Sequence, residues 1–77
     1  MVIKMAITAV EVHNIIANAG FVLNPYAKIY VRALSLAEAE YGEEGVKTQI
    51  LYILTNVTAR GEKQQAAKKQ LQDMAKK

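Results

Sequence analysis

The sequence predicts an all-α fold, a compact bundle of three to four short helices that includes an antiparallel helical hairpin. Three observations predict it. Large apolar side chains return every three or four positions in three successive segments, the period of a helix that buries one face. Start and stop signals punctuate those segments at Thr8, Gly20, Asn24-Pro25 and Gly42. The chain is also short: 77 residues with no cysteine, one proline and 52% hydrophobic residues. A single domain of that size has no disulfide or thiolate metal site to staple it, so it must rest on well-packed helices or on oligomerisation.

Residues 1–7 form an N-terminal arm, either disordered or a short strand. "TAVE", Thr8 to Glu11, is a capping box: the Thr8 hydroxyl accepts from the Glu11 N–H while Glu11 reaches back to the Thr8 N–H. Such a cap is worth about 1 kcal/mol. Ile7 and Val12 stand where a hydrophobic staple sits. Ala9, Val12, Ile15, Ile16 and Ala19 line one face of helix one, with Glu11, Asn14 and Asn18 opposite. Gly20 ends it in the left-handed conformation, and Phe21 folds back on Ile16.

Asn24 caps helix two and Pro25 takes its first position, where a missing N–H costs nothing. Helix two runs to about Tyr41. Tyr26, Ile29, Tyr30, Ala33, Leu34, Ala37 and Tyr41 share a broad apolar face, and Lys28, Arg32, Ser35 and Ala39 lie opposite. An arc so wide predicts a central element with more than one neighbour. Gly42 closes it, and Glu43 and Glu44 open helix three where negative charge suits the helix dipole. That helix extends to about Val57 with the stripe Val46, Ile50, Ile53, Leu54 and Val57. So short a connection makes helices two and three antiparallel neighbours. The chain then turns through Thr58 to Gly61. From Glu62, the spacing of Ala67, Leu71 and Met74 predicts a fourth, amphipathic helix with only two sizeable apolar side chains, enough to dock lightly.

Charge is uneven. The chain carries +3, yet residues 60–77 hold six basic and two acidic side chains, and residues 1–59 hold four basic and five acidic. The basic C-terminal helix is thus the feature that points to an anionic partner. Lys68, Lys69 and Lys76, with Gln65 and Gln72 between them and Arg60 and Lys63 nearby, read first as a solvated helix face and second as a surface for DNA phosphates, ahead of an acidic protein or a membrane surface. Four neutralised phosphates would give a log–log salt slope of about −3.6. The Tyr26, Tyr30 and Tyr41 stripe reads as core or subunit interface, because it shares its face with Ala33, Leu34 and Ala37. Tyr52, among Thr48 and Thr55 on a polar face, is the better candidate for partner contact.

Enzyme signatures are lacking: no Gly-rich phosphate loop, no His-carboxylate metal spacing and no Ser-His-Asp set. His13 reads as structural or solvent-facing. Glu38, Glu40, Glu43 and Glu44 read as solvated surface around a helix end rather than as a metal site. No cofactor is expected. The longest apolar run, "ILYIL", is far below a membrane span, and the N-terminus does not read as an export signal, so the expected location is the cytoplasm.

"ILYILTNVTARGEKQQAAKKQLQ", residues 50–72, resembles a pattern in small uncharacterised proteins of tailed bacteriophages and prophages. The matching pieces are Leu54, Asn56, Arg60-Gly61-Glu62 and Ala66 to Lys69; Thr58-Ala59 stands where such proteins often carry an aromatic pair. The resemblance implies a phage setting, hence a host cytoplasm, and no particular activity.

These readings lead to a non-enzymatic interaction or assembly protein acting through an oligomeric helical surface, most simply a two-fold homodimer. The alternative is a small DNA-binding protein using residues 60–77.

Overall fold

Between Gly20 and Gly61 the chain folds back on itself about a single point, and pairings along both arms mark the reversal. A computed structural model describes residues 7–76, so the expected arm over 1–7 lies, but for Ile7, outside the described residues, as does Lys77. The elements are α1 (Ala9–Ala19), β1 (Val22–Leu23), α2 (Pro25–Arg32), α3 (Leu34–Leu54), β2 (Val57–Thr58) and α4 (Gly61–Lys76). The fold is an all-α bundle with one short strand pair among the described residues.

The reversal can be followed rung by rung. Val22 pairs with Thr58 and Leu23 with Val57 in an antiparallel register. The Asn24 side chain donates to Asn56 Oδ1 at 3.2 Å. The rings of Tyr30 and Tyr52 stand 5.3 Å apart, and Gly45 lies against the Ala37 backbone. Each pair is centred on Glu40 or Tyr41. The expected helical hairpin is therefore present, with α2 and the start of α3 as one arm and the rest of α3 as the other.

Helix two was expected to run unbroken from Pro25 to about Tyr41, and its backbone nearly does. Ala33 departs from helical geometry only slightly (φ −78°, ψ −7°), and the Ala33 N–H→Ile29 and Ala37 N–H→Ala33 carbonyl bonds continue across it. The sharp break comes at Gly42 (φ 64°, ψ −145°), inside α3. Only glycine adopts that conformation without strain.

α1 matches its signals. Thr8 Oγ1 accepts from the Glu11 N–H at 3.2 Å, and Gly20 ends the helix with its N–H on Ile16 O. A distant group takes the next donor: Glu38 Oε2 accepts from the Ala9 N–H at 2.9 Å, setting a carboxylate at the positive end of α1. Asn24 caps α2, accepting from the Ala27 N–H at 2.8 Å.

Helix three ends three residues short of Val57. Thr55 Oγ1 and Asn56 Nδ2 both donate to the Tyr52 carbonyl and close the helix. Val57 and Thr58 then extend to pair with β1. Their β-branched side chains suit a strand, but the pairing joins residues far apart in sequence, which local periodicity cannot reveal.

The core is continuous. Val12 and Ile16 of α1, Phe21, Leu34, Val46, Ile50, Ile53 and Leu54 of α3, and Leu71 of α4 form one buried cluster. α4 is docked, with Leu71 fully buried and Gln64 Nε2 donating to Gly20 O at 2.9 Å. The molecule measures 37 × 26 × 18 Å. Since a helix with its side chains is ~10–12 Å across, the thin dimension holds two helix layers: the hairpin, and α1 with α4 packed on it.

Candidate interaction surface

The α2–α3 hairpin buries one side and leaves the other open. Residues 25–41 pack against the second arm through Tyr30 and Ala37 and meet α1 through Glu38. The buried side is lined by small or medium residues, Ala27, Leu34 and Ala37, which allow close approach of the neighbouring helix. Tyr26 and Tyr41, expected in the core or at a subunit interface, are not in this chain's core: they are 65% and 71% exposed. A tyrosine buries its ring readily only where its hydroxyl finds a partner, whereas the alanines bury no polar atom. Ile29 and Leu36 are each 60% exposed.

Tyr26, Ile29, Ala33 and Leu36 recur at intervals of three and four, so the nearly continuous helix sets them in a single outward stripe. Leu36 was not part of the expected face. Tyr30 and Ala37 lie on the inner edge of that stripe, where it meets the second arm. There Tyr52, 47% exposed, packs against Tyr30. Tyr41 and Tyr52 flank a groove of about 400 Å³ whose floor includes Ala37 and Gly45. Gln49 lines the same groove, and its buried Oε1 has no hydrogen-bond partner among the described residues. The result is a face rich in tyrosine and aliphatic side chains, the composition that interface centres favour. Leu51 on α3 is exposed beside Tyr52, and Val10 on α1 and Val22 on β1 are exposed singly, as surface side chains ordinarily are.

Charge borders this face in two blocks. Lys28 and Arg32 lie beside its first half and Glu40 continues the stripe in its second. Glu43 and Glu44 approach Lys47 Nζ at 3.3 and 3.5 Å. The Lys47 stem is buried and its ammonium reaches the rim. Among the described residues no cluster of three or more histidine, cysteine or acidic side chains could hold a metal ion.

The six residues singled out in the sequence do not form one site. Lys68, Lys69 and Lys76 share a shallow depression on the outer side of α4 with Gln65, Gln72 and Asp73. Lys63 lines a different one, against Ile15 and Ala19 of α1. Arg60 is exposed at the start of α4, its N–H bonded to Gln64 Oε1 at 2.8 Å. Tyr52 belongs to the hairpin face. His13 is exposed and lines a cleft with Val31 and Arg32. No described helix is long and apolar enough to cross a membrane.

No protein-family model matches this chain, and neither a curated protein nor a solved structure matches it.

Proposed function

We propose that the protein is a non-enzymatic interaction or assembly module whose working surface is the outer side of the α2–α3 hairpin. One observation carries this reading: six large apolar side chains, Tyr26, Ile29, Leu36, Tyr41, Leu51 and Tyr52, stand exposed on one hairpin of an 8.5 kDa chain while its other side is packed. Isolated exposed side chains need no explanation, but a contiguous patch on a small protein marks a contact site. The resemblance of residues 50–72 to phage and prophage proteins supports a phage setting and action in a host cytoplasm. Packaging or replication genes beside this one would agree with that; a housekeeping operon would not.

A photo-crosslinking residue at position 41, compared with one at position 69, tests the surface in expressing cells. The expected result is protein crosslinks from position 41 and few from position 69. No protein crosslink from position 41 ends this reading. A second reading, a small DNA-binding protein, draws on the convergence of Lys68, Lys69 and Lys76 on the outer side of α4. Nucleic-acid crosslinks confined to position 69 would favour it.

A further inference from the structure

The outward stripe is self-complementary, and this identifies what covers it. Ala33 is its midpoint: Tyr26 lies seven residues before and Glu40 seven after, with Ile29 and Leu36 between. Positive charge, Lys28 and Arg32, sits before Ala33, and the negative charge of Glu40 sits after it. We propose that the occupant is a second copy of this chain, its residues 25–41 packed antiparallel on the same segment across a two-fold axis near Ala33. This deepens the interaction reading above and rests on it.

Three features favour a second copy. An isologous contact requires a patch that complements itself under a two-fold rotation, and this one does. Antiparallel pairing lays Ile29 beside the partner's Leu36 and brings Tyr26 to the partner's Glu40, where the phenol donates to the carboxylate. Lys28, two residues on from Tyr26, approaches the same carboxylate. Parallel pairing would instead oppose Glu40 to Glu40 and Lys28 to Lys28, so these charges select the direction.

The small side chain at the crossing is the second feature. Ala33 lets the two axes approach to the short end of the ~8–10 Å range of packed helices. Area is the third. At ~150–250 Å² per aromatic side chain, the exposed parts of Tyr26, Tyr41 and Tyr52 alone offer on the order of 350 Å², and Ile29 and Leu36 extend that. A standard interface takes about 800 Å² per partner, roughly 15% of this chain's 5345 Å² surface. The apolar patch supplies the centre of such an area, and the polar and charged side chains at its rim would supply the rest.

Because the chain has no cysteine, a single introduced one reports the axis directly. A33C should oxidise to a disulfide-linked dimer in high yield, since a residue on a two-fold axis meets its own copy within disulfide reach, while K69C should stay monomeric. Sedimentation should show a dimer for the unmodified chain. I29E/L36E should weaken it at least 100-fold with its helical circular dichroism intact. Should that double variant fail to fold, charge variants serve: K28E or E40K alone should weaken association about tenfold, and K28E/E40K together should restore it.

Equal disulfide yields from A33C and K69C, or no rescue by the charge swap, overturn the antiparallel arrangement. A monomer at 100 μM overturns self-pairing altogether. Position-41 crosslinks to a different protein would then leave the interaction reading standing, and their absence would remove both.

Discussion

An added methyl group at Gly45 would have no space. It would overlap the Ala37 carbonyl oxygen and fall 2.8 Å from the carbon of that carbonyl and 2.9 Å from Tyr41 Cβ. Backbone cannot rotate away as a side chain can, so Gly45→Ala should cost at the upper end of overpacking, about 3 kcal/mol. At ~4–8 °C per kcal/mol for a domain of this size, a thermal melt should fall by more than 10 °C. Gly42, three residues earlier, is needed for the opposite reason. A Cβ there meets nothing within 4 Å, and its backbone angles alone demand glycine. Both appear in the sequence simply as helix-breaking letters; Gly42 as a stop signal is readable there, and Gly45 as a contact is not. Lys47 is the third residue that only the fold explains. Its buried stem already packs as an apolar chain, and its partners Glu43 and Glu44 stay partly solvated. Lys47→Met should therefore change stability by less than about 1 kcal/mol in urea unfolding, whereas a third carboxylate at that position would crowd like charges one helical turn apart.

At the scale of elements, α4 shows how little apolar surface is needed when one side chain is placed well. Its stripe of Ala67, Leu71 and Met74 suggests light docking, yet Leu71 is fully buried among residues of α1 and α3. Gln64 and Gln65 tie its first turn to Gly20 O and Ala59 O. Leu71→Ala should cost ~2–5 kcal/mol, and hydrogen exchange should show α4 losing protection first. If α4 amides keep wild-type protection in that variant, Leu71 is not what holds the helix. The strand pair was missed for a related reason. Val22-Leu23 and Val57-Thr58 are two residues each, too short for a period-2 pattern, and they exist because the hairpin brings their ends together. Helix one was readable almost completely, since Thr8, its stripe and Gly20 act within a single segment.

For the molecule as a whole, the two-layer arrangement divides the surface into a tyrosine-rich side and a lysine-bearing helix. Among the described residues, three basic side chains, Lys68, Lys69 and Lys76, converge on the outer side of α4, with Asp73 among them. Duplex DNA binding through that helix should therefore show a log–log salt slope of about −2.7, at ~0.9 per phosphate, rather than the steeper value that four contacts give. A slope near zero, or no binding at low salt, removes nucleic acid as a partner of this surface.

The sequence by itself determined the helices, their caps and the direction of the hairpin, because hydrogen bonding within a segment and the period of its apolar residues are local properties. It also held the information that helix two is apolar over too wide an arc for one neighbour. Only the tertiary structure decided which part of that arc is buried. Packing rewards close approach, so Ala27 and Ala37 went inward, with Leu34 filling the core between the layers, while Tyr26, Ile29, Leu36 and Tyr41 were left facing out. That choice depends on the shape of the opposing layer, which no single segment contains.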